Sequence, residues 1–117
     1  MTVRRLKTYA GSQGYVYQYY FVGQRSWPGG TPAAEYIFDV TSDRKLTYSV
    51  SILLPRSVVQ AWVASHGRPL SDSEQYAAVK LRLFRAFDEI ENMQTEGRQL
   101  QVDLAAMEDA LSSLGIE

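Results

Sequence analysis

The first half of the chain alternates apolar and polar residues one by one, which is the period of a β-strand with one buried face. The alternating runs are separated by stretches rich in Gly, Pro, Ser and Asp, and the short ones favour antiparallel hairpins. In the second run, alternate positions from 15 to 21 are all aromatic, as expected for a packed strand. We predict a four-stranded antiparallel meander within residues 3–54, with strands over residues 3–10, 15–22, 35–41 and 46–54.

Beyond residue 54 the apolar period lengthens to three and four residues, which indicates helices. Pro55 suits the start of a helix and Gly67 suits the left-handed residue after its end, so we predict a short helix over residues 55–66. Ser71 and Glu74 form a capping box, in which each side chain accepts a hydrogen bond from the other's backbone amide. This motif predicts that a second helix begins at residue 71.

The last third of the chain carries a heptad pattern, in which apolar residues follow at alternating steps of three and four. Its positions are Tyr76, Val79, Leu83, Ala86, Ile90, Met93, Gly97, Leu100, Leu104, Met107, Leu111 and Leu114. One continuous helix over this range would be about 65 Å long, far longer than strands of about 20–25 Å.

Two arrangements resolve this mismatch in length. Gly97 fills no space at a core position and weakens a helix by about 1 kcal/mol relative to alanine, so the helix can break near Gly97 and fold back. Alternatively the helix is continuous and its distal half pairs with another subunit. In both cases we expect an α+β body over residues 1–96, with its helices at 55–66 and 71–96, followed by an acidic amphipathic helical tail over residues 97–117.

Composition narrows the class of protein. The 117 residues are 45% hydrophobic and 21% charged, which fits one ordinary globular domain. The chain has no apolar run long enough to span a bilayer, so we expect no membrane partner. Cysteine is absent, which excludes disulfides and thiolate chemistry and permits the cytoplasmic location that we expect.

Charge is unevenly distributed along the chain. Residues 1–85 contain eleven of the twelve Lys and Arg residues, whereas residues 86–117 contain Arg98 and eight of the thirteen acids. We therefore expect the acidic tail to cover the basic body, either within one chain or across a dimer. The leading hypothesis is a non-enzymatic protein-interaction or adaptor domain that forms a homodimer, or binds another protein, through its C-terminal helix. The self-association residues would be Leu100, Leu104, Met107, Leu111 and Leu114.

The first alternative is a nucleic-acid-binding protein. Rings on an open sheet next to cationic side chains can stack on single-stranded bases. The candidate residues are Tyr15, Tyr17, Tyr19, Arg25, Arg44 and Lys45. The basic residues are scattered rather than clustered, and no aromatic-glycine motif of an RNA-binding sheet is present, so this reading ranks second.

The second alternative is a small enzyme or ligand carrier with a pocket under the loop of residues 26–33, which we call the Trp27 loop. In this loop prolines flank Gly29 and Gly30. No catalytic, cofactor or metal motif supports an enzyme. His66 is the single histidine, so no metal-binding histidine pair exists, and it lies where a helix C-terminus favours an imidazolium. Gly29-Gly30 is not followed by Lys-Ser or Lys-Thr, as a phosphate-binding loop requires.

Overall fold

The computed structural model describes residues 6–117, so the predicted start of the first strand at residue 3 lies outside the described residues. In chain order the elements are β1 (Lys7–Ala10), β2 (Val16–Ser26), β3 (Ala33–Thr41), β4 (Tyr48–Pro55), α1 (Arg56–His66), α2 (Asp72–Glu89), α3 (Met93–Glu96), β5 (Gln99–Gln101) and α4 (Leu104–Ser113). The predicted α+β class is confirmed.

The five strands form one mixed sheet in the order β1-β2-β3-β4-β5. The first four strands are an antiparallel meander, and β5 pairs in parallel with β4, with Leu100 opposite Ile52. Parallel neighbours need a long crossover connection, which α1, α2 and α3 supply. The predicted sheet therefore matches only roughly, because it lacks β5.

One face of the sheet carries an aromatic layer that packs against α2. The Tyr17 ring stacks on Phe87 with centroids 4.2 Å apart, and Tyr19 meets Phe84 edge-on at 5.6 Å. The same core continues through Phe38, Val50, Ile52, Leu54, Trp62, Leu83, Met107 and Leu111. Because these strand and helix residues form one cluster on one side of the sheet, no element within residues 6–117 covers the opposite face.

The C-terminus of α1 and the N-terminus of α2 follow the signals in the sequence. Gly67 follows α1 in the left-handed conformation, with φ 70°. The capping box is formed, since Ser71 Oγ accepts from Glu74 N at 3.2 Å and Glu74 Oε1 accepts from Ser71 N at 2.9 Å. Arg68 donates to the other oxygen of this carboxylate at 2.7 Å. The Arg68 hydrogen bond, followed by that from the Ser71 backbone, lowers the pKa of Glu74 to about 2.

The long helix predicted from the heptad pattern is divided in the structure. α2 ends at Glu89, and the next residue, Ile90, has extended backbone with φ −95° and ψ 116°. Side chains of residues 99–103 alternate between exposed and buried, which is the period of a strand. Backbone hydrogen bonds from Ser51 N to Arg98 O and from Val102 N to Leu53 O, at 2.8 and 2.9 Å, join this segment to β4. The helix therefore ends at Glu89, ahead of Gly97.

The acidic tail packs on the body of the same chain. Asp103 caps α4, because its Oδ1 accepts from Ala106 N at 2.8 Å. α4 lies against α1 and α2 and buries Met107 and Leu111 between them. Residues on both sides of the predicted boundary at residue 97 therefore share one hydrophobic cluster.

Gly97 has a different role from the helix break considered above. It is a buried residue that follows α3, and a Cβ atom there would lie 2.4 Å from Met93 Sδ and 3.2 Å from Met93 Cα. Both distances are too short for ordinary van der Waals contact. A side chain at position 97 would therefore require the buried Met93 side chain to move and the backbone to shift slightly.

We expect Gly97→Ala to lower the free energy of unfolding by about 1–3 kcal/mol, the usual range for overpacking a filled site. Gly30→Ala is the matched control, because a Cβ atom at Gly30 meets nothing within 4 Å. Urea denaturation of both variants checks this expectation. Equal stability of the two variants would contradict the packing role of Gly97.

We expect Ser71→Ala to lower the free energy of unfolding by about 1 kcal/mol, because it removes the oxygen that caps α2. Ser73→Ala changes an exposed serine in the first turn of the same helix and leaves the cap intact, so its stability should equal or slightly exceed that of the wild type. Thermal unfolding followed by circular dichroism compares the pair. A smaller effect at residue 71 than at residue 73 would refute the capping argument.

Candidate functional site

The structure separates the five residues predicted for self-association into two groups. Leu100, Met107 and Leu111 are buried in the core of a single chain. Leu104 and Leu114, at the two ends of α4, are 41% and 47% exposed. Only these last two are accessible to another molecule, so self-association through this helix stays a prediction that now depends on them.

The structure brings together only part of the tyrosines and cations proposed as a nucleic-acid surface. Tyr17 and Tyr19 are buried beneath α2, and only Tyr15 is largely exposed, at 45%. Arg25 is on the uncovered face of the sheet, where it pairs with Glu35. Exposed Arg44 and Lys45 are in the turn between β3 and β4. The structure brings Tyr15 and Tyr17 together, with ring centroids 6.4 Å apart, at the same end of the sheet as the turn that carries Arg44 and Lys45. Tyr19 and Arg25 lie elsewhere, so the proposed residues do not all share one surface.

The Trp27 loop closes on itself. Its indole is half-buried, and Gly29 lies so close to it that a Cβ atom there would be 2.2 Å from Trp27 Nε1. Backbone hydrogen bonds from Trp27 N to Ala33 O at 2.9 Å and from Arg56 N to Pro32 O at 3.0 Å hold both ends of the loop. A cleft of about 520 Å³ lies beside the loop; its lining includes Arg25, Arg56, Val59 and Gln75 but not Trp27.

The uncovered face of the sheet has an ordered arrangement of polar groups about β3. Glu35 accepts hydrogen bonds from Arg25 Nε of β2 and Ser51 Oγ of β4, both at 2.5 Å. Four residues along β3, Asp39 accepts from the Tyr20 hydroxyl of β2 at 2.7 Å and from Ser49 Oγ of β4 at 3.3 Å. Each carboxylate therefore links three adjacent strands. We call these two sets of hydrogen bonds the carboxylate bridges.

Glu35 is an unusually buried carboxylate for an outward-facing position, with 4% of the residue exposed. The Ser51 hydrogen bond lowers the pKa of Glu35, and Arg25 lowers it further through a hydrogen bond and its charge, while burial opposes both. A desolvated carboxylate needs such partners to remain ionised. The Glu35 side chain is thus held as an anion in one fixed position.

Ile37 lies between the two carboxylate bridges on β3, and Leu53 lies opposite Glu35 on β4. Both side chains are half-buried. The sequence alternation placed Glu35, Ile37 and Asp39 on one face of the strand, but it did not identify the bridges. Their partners are set by the register between strands, and the available signal was the presence of two carboxylates within a largely apolar strand.

His66 is held by neighbouring side chains. Its Nε2 lies 2.9 Å from Glu108 Oε2, and its ring stacks on Trp62 with centroids 4.0 Å apart. This pair joins α1 to α4, so the single histidine connects the body to the acidic tail. The contacts of His66 are those of a residue that packs between two helices.

Comparison of the chain with protein-family models, with curated proteins and with solved structures finds no match. Among residues 6–117, the helices are all too short or too polar to cross a membrane. The geometry of the residues is thus the basis for inferring function.

The carboxylate bridge at Glu35 predicts a dependence of stability on pH. Because the pKa of Glu35 is lowered from 4.5 by folding, its ionised form stabilises the fold above that pH, and the contribution is lost as pH falls through the lower folded value. Glu35→Gln removes this titration, so its free energy of unfolding should decrease less between neutral and acidic pH than that of the wild type.

Denaturant unfolding at a series of pH values measures this difference. Glu117→Gln, at the exposed C-terminus, is the control and should retain the wild-type profile. Parallel pH profiles for the wild type and Glu35→Gln would show that Glu35 is not a stabilising anion.

Proposed function

We propose that this protein is a non-enzymatic protein-interaction domain that self-associates, and that it does so through the uncovered face of its sheet. The observation that carries the proposal is the pair of carboxylate bridges on that face. They fix side chains from β2, β3 and β4 around the apolar residues Ile37 and Leu53. No described helix packs there.

The area of this face fits an interface of ordinary size. The three longest strands, β2, β3 and β4, are roughly 25–35 Å long, whereas β1 and β5 are only roughly 10–13 Å. Spaced about 4.8 Å apart, the five strands present a face of about 500–600 Å². A standard protein interface covers about 800 Å² on each partner. If two copies met face to face, the area buried on each molecule would approach that of a standard interface.

The polar side chains of the uncovered face are already held in place, so this face is preorganised for binding a partner. Binding usually costs about 0.5–1.5 kcal/mol for every flexible side chain that becomes immobile. The side chains of Arg25, Tyr20 and the two bridging serines are already held by the carboxylates, so less of this cost remains.

The charges on this face favour a protein partner over nucleic acid. Nucleic-acid affinity comes mainly from cations that are free to neutralise phosphates. Arg25 is paired with Glu35, and Asp39 adds a further carboxylate. A second copy of a nearly neutral face meets little repulsion, whereas a phosphate backbone finds no unpaired cation among these groups.

The test compares the solution mass of three proteins by size exclusion with light scattering over a dilution series. Ile37→Arg places a charge at the centre of the uncovered face, and Leu104→Glu places one on exposed α4. Neither site is fully buried, and an acidic residue in the first turn of α4 suits the helix dipole. We expect a dimeric wild type, a monomeric Ile37→Arg variant and a dimeric Leu104→Glu variant.

Other outcomes contradict the proposal in distinct ways. A wild type that is monomeric at every concentration removes self-association altogether. A dimer that dissociates only with Leu104→Glu places the interface on α4, as the heptad pattern predicts, and not on the sheet. Circular dichroism spectra of the variants confirm that each is folded.

A further inference from the structure

A second cleft, of about 450 Å³, lies at the end of the sheet remote from the Trp27 loop. It is formed where the start of β2, the turn after β3, the start of β4 and the segment from Glu91 to Glu96 meet. The residues that argue for a ligand are Tyr15, Tyr17, Tyr48, Glu91 and Glu96. Its volume falls within the range of about 300–1,000 Å³ for small-molecule sites.

Two tyrosines with little exposed surface line this cleft, and their hydroxyls are free of hydrogen bonds to other groups within residues 6–117. Tyr17 is 2% exposed and Tyr48 is 7% exposed, and both line the cleft. Among residues 6–117 neither hydroxyl has a hydrogen-bond partner, and neither hydroxyl oxygen is fully buried, because the fully buried side-chain polar atom without a partner there is Trp62 Nε1. Their small exposed areas thus present hydroxyl groups to whatever occupies the cleft.

Both hydroxyls stay protonated at neutral pH. Burial raises the pKa of Tyr48 to about 12, with the neighbouring Tyr17 adding to the shift. Burial also raises the pKa of Tyr17, to which Tyr15 contributes. As neutral phenols they can accept a hydrogen bond as well as donate one.

The charged residues that line the cleft are both acidic. Glu91 and Glu96 are exposed carboxylates at its rim, and no Lys or Arg is part of the lining. Outside the lining, Arg98 has its guanidinium 5.6 Å from the centre of the Tyr48 ring. Arg44 and Lys45 are in the turn whose Ser42 lines the cleft. The lining itself carries only negative charge, which favours a cation over an anion.

We propose that this cleft binds an organic compound with a primary ammonium group. The ammonium would donate hydrogen bonds to the hydroxyls of Tyr17 and Tyr48 and be attracted by Glu91 and Glu96, while the exposed Tyr15 ring would cover its aliphatic part. An organic cation fits better than a metal ion, because no three His, Cys, Asp or Glu side chains within residues 6–117 come together as a metal site. This site is separate from the uncovered sheet face.

The first experiment titrates the wild-type protein with cadaverine, an aliphatic diamine, by isothermal calorimetry. The neutral diol of equal chain length is the matched probe. We expect saturable binding of cadaverine and at least a tenfold weaker response to the diol. Equal affinity for both probes, or no binding of cadaverine up to its solubility, would overturn the proposal.

Three variants locate the site. Tyr15→Ala and Glu96→Gln alter exposed groups of the cleft, and each should weaken cadaverine binding by roughly threefold to tenfold, as expected for one partly exposed cation contact. Glu117→Gln removes the same charge at a residue outside the cleft and should bind like the wild type. Thermal unfolding of each variant confirms that it is folded.

If Tyr15→Ala and Glu96→Gln both bind cadaverine as tightly as the wild type and the Glu117→Gln control do, the cation binds elsewhere and the assignment is wrong. If Glu117→Gln weakens binding as much as Glu96→Gln, the effect is general attraction to an acidic chain, which also overturns a defined site. None of these readouts depends on the oligomeric state, so the result is independent of the proposed self-association.

Discussion

The aromatic layer between the sheet and α2 is the constraint on which the rest of the molecule depends. Tyr17 stacks on Phe87 and Tyr19 meets Phe84, and Tyr76 contacts Phe38 in the same way further along the helix. Burying each aromatic side chain contributes up to about 3 kcal/mol, with ring geometry adding about 0.5–1.5 kcal/mol for each pair. Because this layer draws α2 onto one face, and α4 packs against both α2 and α1, it also determines which face remains uncovered.

The two faces of the sheet are consequently held by different interactions. On the covered face the strands are joined by side chains that share a hydrophobic core. On the uncovered face Glu35 and Asp39 link three strands by hydrogen bonds and one ion pair. Tyr17 lies at the end of the aromatic layer. Its ring stacks on Phe87, and the same residue lines the second cleft. Both candidate surfaces thus follow from where the core stops.

Local patterns in the sequence predicted the parts of the fold that local interactions determine. Alternation predicted four antiparallel strands, and Ser71 with Glu74 predicted the start of α2. The break after Glu89 and the strand β5 were missed, because steps of three and four continue across residues 90–104 even though Leu100 and Val102 also alternate with polar neighbours. The choice between these periods depends on pairing with β4, a contact between residues nearly fifty positions apart that no local pattern contains. The cleft was missed for the same reason, since its lining comes from four separate segments.

The acidic tail packs on the body of its own chain. The acidic tail meets the body through Glu108 beside His66, and through the Gln101 carbonyl that accepts from Arg82 Nε at 3.1 Å. Most of the heptad residues that suggested a partner helix are buried against α1, α2 and β4 of the same chain. An apolar repeat shows that a surface is covered but does not show by which molecule. Surfaces for a partner are therefore to be sought where half-buried apolar groups remain beside ordered polar ones, as Ile37 and Leu53 do beside the carboxylate bridges.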